Sequence, residues 1–251
     1  MSAVLETAGL TRRFGGFAAV DGVDLALPAG ARHALIGPNG AGKTTLVNLL
    51  TGTLRATAGM VRLAGEDVTA LSPERRVRRG LARTFQVNQL FPDLAPLEAV
   101  TLAVCEREGL TARWWRPVGA HRALVEEAER HLAALRFAPA EMRGATRHLP
   151  YGRQRLLEIA LALALRPRVL LLDEPAAGVP PGESREVLET VAALPREVAV
   201  LLIEHDMDLV FRFAERITVL AQGAVLAEGT PGEIAADPRV REVYLGEAAH
   251  G

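Results

Sequence analysis

The residues from 37 to 45 match the pattern G-x-x-x-x-G-K-[ST], in which each residue type suits phosphate binding. Glycines lack a Cβ, so the backbone can turn tightly and present its N–H groups to an anion. Lys43 can reach the outer phosphates, and the Thr44 hydroxyl can hold Mg²⁺. The pattern predicts a site for a nucleoside triphosphate rather than a simple glycine-rich turn. Its residues are Gly37, Pro38, Asn39, Gly40, Ala41, Gly42, Lys43, Thr44 and Thr45.

A second candidate site is an acid pair, Asp173-Glu174, at the end of the apolar run 169–172. Carboxylates rarely follow a buried strand unless they are paired or bind a metal. Because open α/β sheets bind ligands at the carboxyl ends of their strands, Asp173 is expected to hold Mg²⁺. Glu174 is placed to orient or deprotonate the attacking water. The alternative is a helix-capping acid beside a salt-bridged neighbour.

A third apolar run, 198–203, is followed by Glu204 and His205. The end of a core strand is a position at which a histidine can bind the γ-phosphate or hold the water, so His205 is a candidate catalytic residue. The other histidines have no such placement and are expected to be structural or on the surface; they are His33, His121, His131, His148 and His250.

The elements that position these residues follow an α/β pattern. The run 34–36 reads as a strand before the glycine loop, and 46–50 reads as a helix after it. The runs 169–172 and 198–203 are apolar throughout, as expected for parallel strands covered on both faces. The strand that contains the run 34–36 is predicted to span Arg32–Ile36. Further strands are predicted at Val4–Leu10, Val23–Leu27 and Met60–Ala64, with a final hairpin at Ile217–Leu220 and Ala224–Ala227.

Composition narrows the class of protein. At 251 residues the chain fits one large α/β domain or a core with an insertion, and its net charge of −1 gives no general attraction to nucleic acid. The single Cys105 suits a reducing compartment. No signal peptide and no apolar run long enough to span a membrane is apparent, so we expect a soluble chain that reaches membranes only through a partner.

Two charged segments are interpreted as solvated. Five arginines between Arg75 and Arg83 are better explained by a solvated helix face than by a nucleic-acid patch, because no aromatic residues interleave with them. In the predicted helix from Ala120 to Phe137, apolar residues form a stripe at helical spacing, and the charged residues, Glu127 among them, fall outside that stripe. These charged residues are therefore expected on the solvent side of the helix. This helix lies in a predicted helical insertion that ends near Arg166.

These features together resemble the nucleotide-binding subunits of ATP-binding-cassette (ABC) transporters over almost the whole length. The resemblance implies an α/β fold: a P-loop NTPase (RecA-like) core with an ABC-specific antiparallel β subdomain and an inserted helical subdomain. It places the core in residues 1–87 and 167–251 and the helical subdomain, with the signature motif, in about 88–166. ATP and Mg²⁺ are the implied ligands.

The resemblance also assigns individual residues. Gln86 matches the Q-loop glutamine that contacts Mg²⁺, Phe14 the aromatic residue that stacks on adenine, and His205 the switch histidine. Residues 149–154 occupy the position of the signature LSGGQ, so Tyr151 and Gly152 are expected to bind the γ-phosphate of ATP held by the opposite subunit.

Two departures from the family pattern affect that composite site. Pro150 replaces the signature serine and has neither a hydroxyl nor an N–H for phosphate. Pro180 replaces the aspartate usual in the D-loop, residues 176–181. A homodimer would contain the altered signature at both sites, whereas a heterodimer could contain it at only one.

Several segments resemble the branched-chain amino acid importers in particular: 83–86, 154–160, 173–178, 203–207 and 243–247. The last of these also resembles the lipopolysaccharide-export ATPase. A non-transport ABC ATPase and a module that senses ATP without hydrolysing it are two rival classes. The intact Asp173-Glu174 pair argues against the sensing module.

An importer implies defined partners: a second ABC ATPase subunit, integral membrane permeases, and indirectly a solute-binding protein, but no nucleic acid. The chain would lie in the cytoplasm, on the inner face of the membrane. Trp114 and Trp115 are candidates for the permease contact, with packing inside the subdomain as the alternative.

Overall fold

The computed structural model describes residues 3–84, 90–110 and 122–248. Gln86 and the Trp114-Trp115 pair lie outside the described residues, so the predictions made for them stay predictions. The chain divides into two compact units. The first comprises Met1–Arg83, Arg168–Glu174 and Leu194–Gly251, and the second comprises Thr84–Pro167 and Pro175–Ala193.

The first unit contains two β-sheets. Their strands are β1 (Ala3–Phe14), β2 (Phe17–Pro28), β3 (Arg32–Ile36), β4 (Ala58–Leu63), β5 (Glu66–Asp67), β6 (Leu81–Arg83), β7 (Val169–Asp173), β8 (Ala199–Ile203), β9 (Arg216–Ala221) and β10 (Ala224–Gly229). One sheet is antiparallel with the strand order β2-β1-β4-β5, and the other has the order β10-β9-β3-β8-β7-β6. In the second sheet all neighbours pair in parallel except β10, which is antiparallel to β9.

Strands β7 and β8 are buried at every residue, which confirms the prediction that they are covered on both faces. Strand β3 is buried at every residue as well, Arg32 and His33 included. Strands β1 and β2 are longer than predicted. Their pairing shifts register between Thr7 and Leu10, and such bulges break the alternation from which a strand is read. The short strands β5 and β6 were not predicted.

The described helices of the first unit are α1 (Lys43–Thr51), α2 (Pro73–Val77), α8 (Met207–Phe213), α9 (Pro231–Ala236) and α10 (Pro238–Ala248). Helix α1 buries Leu46, Leu49 and Leu50. Helix α8 begins after Asp206, whose carboxylate accepts the backbone N–H of Asp208 at 3.0 Å.

The arginine-rich segment is not a solvated helix face throughout, contrary to the prediction. Arg76 is only 2% exposed. Its guanidinium donates to the carbonyls of Leu49 and Leu50, each at 2.6 Å, and of Thr69 at 2.8 Å. The carbonyls of Leu49 and Leu50 lie in the last turn of α1, where the regular hydrogen bonds of the helix end, and Leu49 O also accepts the N–H of Gly52 at 3.3 Å. Arg76 therefore ties α2 to the end of α1, and its burial lowers the pKa of its guanidinium to about 10.

The second unit is helical in its described residues, with proline at the first position of several helices. Glu98 and Glu141 each reach back to the backbone N–H before their helix, at 2.8 Å and 2.6 Å. In the described part of the chain, no helix combines the length and apolar character needed to cross a membrane. The helices are α3 (Pro96–Arg107), α4 (Arg122–Ala134), α5 (Pro139–Arg143), α6 (Tyr151–Ala164) and α7 (Pro181–Ala192).

Glu127 was expected on the solvent side of α4 but is buried. Both of its carboxylate oxygens accept hydrogen bonds from Arg107, at 2.7 Å and 3.0 Å, and Arg166 lies 3.0 Å away. The hydrogen bonds from Arg107 lower the pKa of Glu127 to about 2. A buried carboxylate with two guanidinium partners therefore joins α3 and α4 to the end of α6.

We expect Glu127→Gln to lower the free energy of unfolding by about 2 kcal/mol at pH 7, because it leaves Arg107 with only the more exposed Glu108 as a charged partner. The loss is smaller than for a fully buried pair, since both side chains keep some exposure. With a pKa lowered from 4.5 to about 2, the stabilisation is complete above pH 4.5 and disappears as the pH falls toward 2. Urea unfolding at several pH values measures this effect.

The matched control is Glu126→Gln on the same helix, where the partner Arg122 is almost fully exposed. We expect a change below about 0.5 kcal/mol for this variant. Equal losses in the two variants, or a loss at Glu127 that persists at pH 2, would contradict the role assigned to the buried pair.

Candidate functional site

The glycine loop joins the end of β3 to the start of α1, as predicted. Gly37 has φ 153° and Gly42 has φ 100°. A Cβ on Gly37 would lie 2.1 Å from the carbonyl oxygen of Leu220, and one on Gly42 would lie 2.3 Å from that of Ala19. Both positions therefore exclude any side chain, because the backbone of a neighbouring strand occupies the space.

The loop is also fixed by hydrogen bonds to the turn between β9 and β10. The N–H of Gly223 in that turn donates to Ala41 O at 3.0 Å, and Asp21 N–H donates to Gly223 O at 2.8 Å. The loop backbone is thus held in place by neighbouring elements, and residues Asn39 and Gly40 remain exposed. Such a preorganised loop can present its N–H groups to an anion without further ordering.

The charged and hydroxyl groups of the motif lie at the first turn of α1. Lys43 Nζ donates to the carbonyls of Gly37 and Pro38, the latter at 2.9 Å. The side chains of Lys43 and Thr45 are partly buried, and that of Thr44 is exposed. No acidic residue occupies the first turn of α1, so the positive end of the helix dipole is not neutralised within the helix.

Asp173 follows the register of the parallel sheet to the same edge as this loop. In β8, Ile203 is the register partner of Leu35 on one side and of Asp173 on the other. Asp173 is 3% exposed and accepts a hydrogen bond from Arg83 Nη2 at 2.6 Å. Arg83 Nη1 also donates to Asn48 Oδ1 at 2.8 Å. One guanidinium therefore connects β6, β7 and α1 around the acidic residue.

Arg83 is a functional candidate that the sequence analysis missed, because the arginines around it were interpreted as solvated. The available signal was its position in a strand. Arg83 is the register partner of Leu171 in β7, and Asp173 lies two residues further on the same face of that strand. The contact between Arg83 and Asp173 could have been predicted only if β6 and β7 were known to be neighbouring strands.

Glu174 and His205 come together at the ends of β7 and β8. His205 Nδ1 lies 3.7 Å from Glu174 Oε1 and 3.8 Å from Oε2 of the buried Glu204. The His205 side chain is 68% exposed and that of Glu174 is 30% exposed, so water can reach both. Glu174 has φ 47°, a left-handed conformation that non-glycine residues adopt at a cost and that is frequent at functional sites.

Phe14, predicted to stack on adenine, and His33, predicted to be structural or on the surface, lie on strands β1 and β3. Phe14, at the end of β1, is 48% exposed, and the guanidinium of Arg12 lies 4.5 Å from its ring centroid. His33 in β3 is fully buried, and its Nε2 lies 2.8 Å from Thr218 Oγ1. Burial lowers the pKa of His33 to about 4, which fits the structural role expected for it.

In the second unit, the predicted signature segment forms the start of α6, with Pro150 immediately before it. Tyr151 is 36% exposed and Gly152 is buried. The N–H of Gly152 donates to Glu183 Oε2 at 2.8 Å. The predicted donor for a phosphate is therefore bound to a carboxylate of α7.

The donor set of the first unit fits Mg²⁺ that is bound together with a triphosphate. Mg²⁺ prefers oxygen ligands and usually takes one or two carboxylates plus phosphate oxygens and water. The Thr44 hydroxyl and the Asp173 carboxylate are oxygen donors of that kind. Within residues 3–84, 90–110 and 122–248, no group of three or more His, Cys, Asp or Glu side chains is arranged to hold a metal by itself.

Comparison with known proteins identifies the class. The family model described as ABC transporter matches residues 20–177, and the chain belongs to this family. A second model, described as branched-chain amino acid ATP-binding cassette transporter, matches residues 224–250. These matches confirm the resemblance stated from the sequence motifs.

Relatives of similar length support the same assignment. The chain is 42% identical to the high-affinity branched-chain amino acid transport ATP-binding protein BraF of Pseudomonas aeruginosa, with 98% of each chain covered. It is 40% identical to the corresponding protein LivG of Escherichia coli, again over 98% of each chain. A probable LivG of Archaeoglobus fulgidus is 35% identical, over 97% of this chain and 95% of the relative.

Solved structures confirm the predicted fold class. The crystal structure of an ATP-binding cassette of an ABC transporter in its ADP conformation is 30% identical to this chain, with a TM-score of 0.85. It covers 98% of this chain and is itself covered completely. A nucleotide-free ATP-binding cassette from an ABC transporter, also 30% identical, gives a TM-score of 0.83, with 96% of this chain and 98% of that one covered.

The packed glycine loop predicts a sharp effect for Gly42→Ala. The new Cβ would meet Ala19 O at 2.3 Å, so the loop must open, at a cost on the order of 1–3 kcal/mol. We expect the affinity for a fluorescent ATP analogue to fall by about tenfold or more.

Gly65→Ala is the matched control, because Gly65 has φ 82° but nothing within 4 Å of an added Cβ. This variant should lose about 1 kcal/mol of stability and keep its nucleotide affinity. Wild-type affinity in Gly42→Ala would show that the close approach to Ala19 does not determine the shape of the binding loop.

Proposed function

We propose that this chain is the ATP-binding and ATP-hydrolysing subunit of an ABC importer for branched-chain or related amino acids. The observation that supports ATP hydrolysis best is the shared strand edge. The glycine loop follows β3, the pair Asp173-Glu174 ends β7, and His205 follows β8, with these strands adjacent and in parallel register.

Binding of ATP is assigned to the glycine loop and α1. Backbone N–H groups of residues 39–45 bind the phosphates, and Lys43 moves from the loop carbonyls to the outer phosphates. The exposed ring of Phe14 stacks on adenine. Thr44, Asp173 and Gln86 would hold Mg²⁺, which when bound neutralises charge on the phosphate oxygens.

Hydrolysis is assigned to Glu174 with His205. Glu174 accepts a proton from water as the water oxygen attacks the γ-phosphorus, and the bond from that phosphorus to the β–γ bridging oxygen breaks. ADP and phosphate are the products. His205 hydrogen-bonds the γ-phosphate, and its ring nitrogen 3.7 Å from Glu174 keeps both groups at the same reacting centre.

Transport requires partners that this chain does not supply. Two ATPase subunits, identical or different, close over two ATP molecules, with Tyr151 and Gly152 of one facing the γ-phosphate bound by the other. Integral membrane permeases, contacted through the helical unit, move the solute delivered by a binding protein. The subunit therefore works on the cytoplasmic face of the membrane.

Amino acids are the proposed solutes because of the C-terminal segment. Residues 224–250 match the branched-chain amino acid model, and the named relatives are branched-chain amino acid transport ATP-binding proteins. This match favours the importer over the lipopolysaccharide-export ATPase that the ending 243–247 also resembles.

Glu174→Gln tests the hydrolytic assignment. Loss of the proton acceptor should lower the ATPase rate by about 10²–10⁴-fold while ATP binding stays unchanged. Phosphate release and nucleotide titration measure the two properties separately. Glu242→Gln, at an exposed position of α10, should change neither. Wild-type turnover in Glu174→Gln would refute the role of Glu174.

The solute can be tested with the complete transporter. We expect the chain to co-purify with membrane permeases, and the assembly in proteoliposomes to take up leucine, isoleucine or valine when ATP is present on the side of this subunit. ATPase stimulation by a lipopolysaccharide instead of by an amino acid-loaded binding protein would overturn the proposed substrate class.

A further inference from the structure

The start of α6 is occupied by a side chain of α7. Glu183 Oε2 accepts the N–H of Gly152 at 2.8 Å. A Cβ on Gly152 would lie 2.7 Å from the same oxygen and 2.9 Å from Glu183 Cβ. Gly152 is thus packed directly against Glu183, and both residues belong to the second unit.

The negative charge of Glu183 stabilises the N-terminal ends of two helices, α6 and α7. Helix α6 has no acidic residue in its own first turn, and Pro150 before it provides no side-chain cap. A helix N-terminus has a positive partial charge that favours an anion. Glu183 lies in the first turn of α7 as well, so one carboxylate interacts with the positive ends of both helices.

The donor taken by Glu183 is the one that the proposed function assigns to the γ-phosphate. Gly152 N–H can direct only one strong hydrogen bond at an anion, and two anions at one helix end repel each other. We infer that Glu183 acts as an internal substitute for the phosphate: ATP bound by the partner subunit must displace it before the two subunits close. This inference rests on the proposed function and concerns the ATP concentration at which closure occurs.

Neighbouring contacts allow Glu183 to leave without detaching α7. One turn further along α7, Glu186 accepts a hydrogen bond from Arg153 of α6 at 3.1 Å. Ser184 Oγ donates to Val179 O at 3.0 Å and keeps the start of α7 in place. The displaced carboxylate also remains beside the N-terminus of α7, where its charge is still stabilised. Displacement is therefore a side-chain movement.

Glu183→Gln tests the inference, because glutamine keeps an oxygen for the Gly152 N–H but removes the negative charge. In the transporter purified with its membrane subunits, the half-saturating ATP concentration should fall by about fivefold, with little change in the maximal ATPase rate. The difference from wild type should shrink as ionic strength rises from about 0.05 M to 0.5 M. A purely structural contact would not produce this salt dependence.

Glu186→Gln is the matched control on the same helix, since Glu186 contacts α6 through Arg153. It should leave the half-saturating ATP concentration unchanged, because Arg153 keeps Glu141 as a partner. An equal shift in both variants, no shift in Glu183→Gln, or a higher half-saturating concentration in that variant would overturn the inference.

Titration of the isolated chain with a fluorescent ATP analogue separates this result from the proposed function. That titration measures the affinity of the glycine loop for nucleotide, and the Glu183→Gln variant should bind the analogue as tightly as wild type does. Absence of binding in the wild type would refute the proposed function itself. Normal binding together with an unshifted half-saturating ATP concentration would refute only the role of Glu183.

Discussion

The parallel register of β3, β8 and β7 is the constraint on which the candidate ATP site depends. Ile203 in the central strand pairs with Leu35 on one side and with Asp173 on the other. A slip of one residue would move a strand end by about 3.3 Å and turn its side chains to the opposite face. All three strands are fully buried, so such a slip would also disrupt the packing on both faces. The core therefore fixes the geometry of the site.

Two guanidinium groups, those of Arg83 and Arg76, fix the position of helix α1. Arg83 binds Asp173 and Asn48, which connects the acidic residue to the helix that follows the glycine loop. Arg76 binds carbonyls at the C-terminal end of that helix. Helix α1 is thus held in place by two arginines from a segment with no apparent function in the sequence. The N-terminus of α1, where the phosphates are proposed to bind, is thus positioned by one contact beside the acidic residue and by others at the opposite end of the helix.

Local patterns were sufficient to predict the glycine loop, the three core strands and the residues at their ends, because each depends on neighbouring residues in the chain. The partners of Arg76, Arg83 and Glu127 could not be predicted in this way. Arg83 and Asp173 are 90 residues apart in sequence, and Arg107 and Glu127 are 20 apart. From sequence alone a charged side chain is predicted to be exposed to solvent, unless its partner of opposite charge is known. Because these partners are brought together only by tertiary packing, they could not be identified from local patterns. The Gly152–Glu183 contact was missed for the same reason.

Lys43 and Gly152 show how the chain satisfies groups that are proposed to meet ATP. Lys43 donates to carbonyls of its own loop, and the Gly152 N–H donates to the Glu183 carboxylate. Each donor has a protein acceptor that a triphosphate would replace. ATP binding is then an exchange of hydrogen bonds, and its net free energy is smaller than the gross strength of the new contacts. Such an exchange suits a subunit that must release its product, because the protein partners regain their contacts when phosphate leaves.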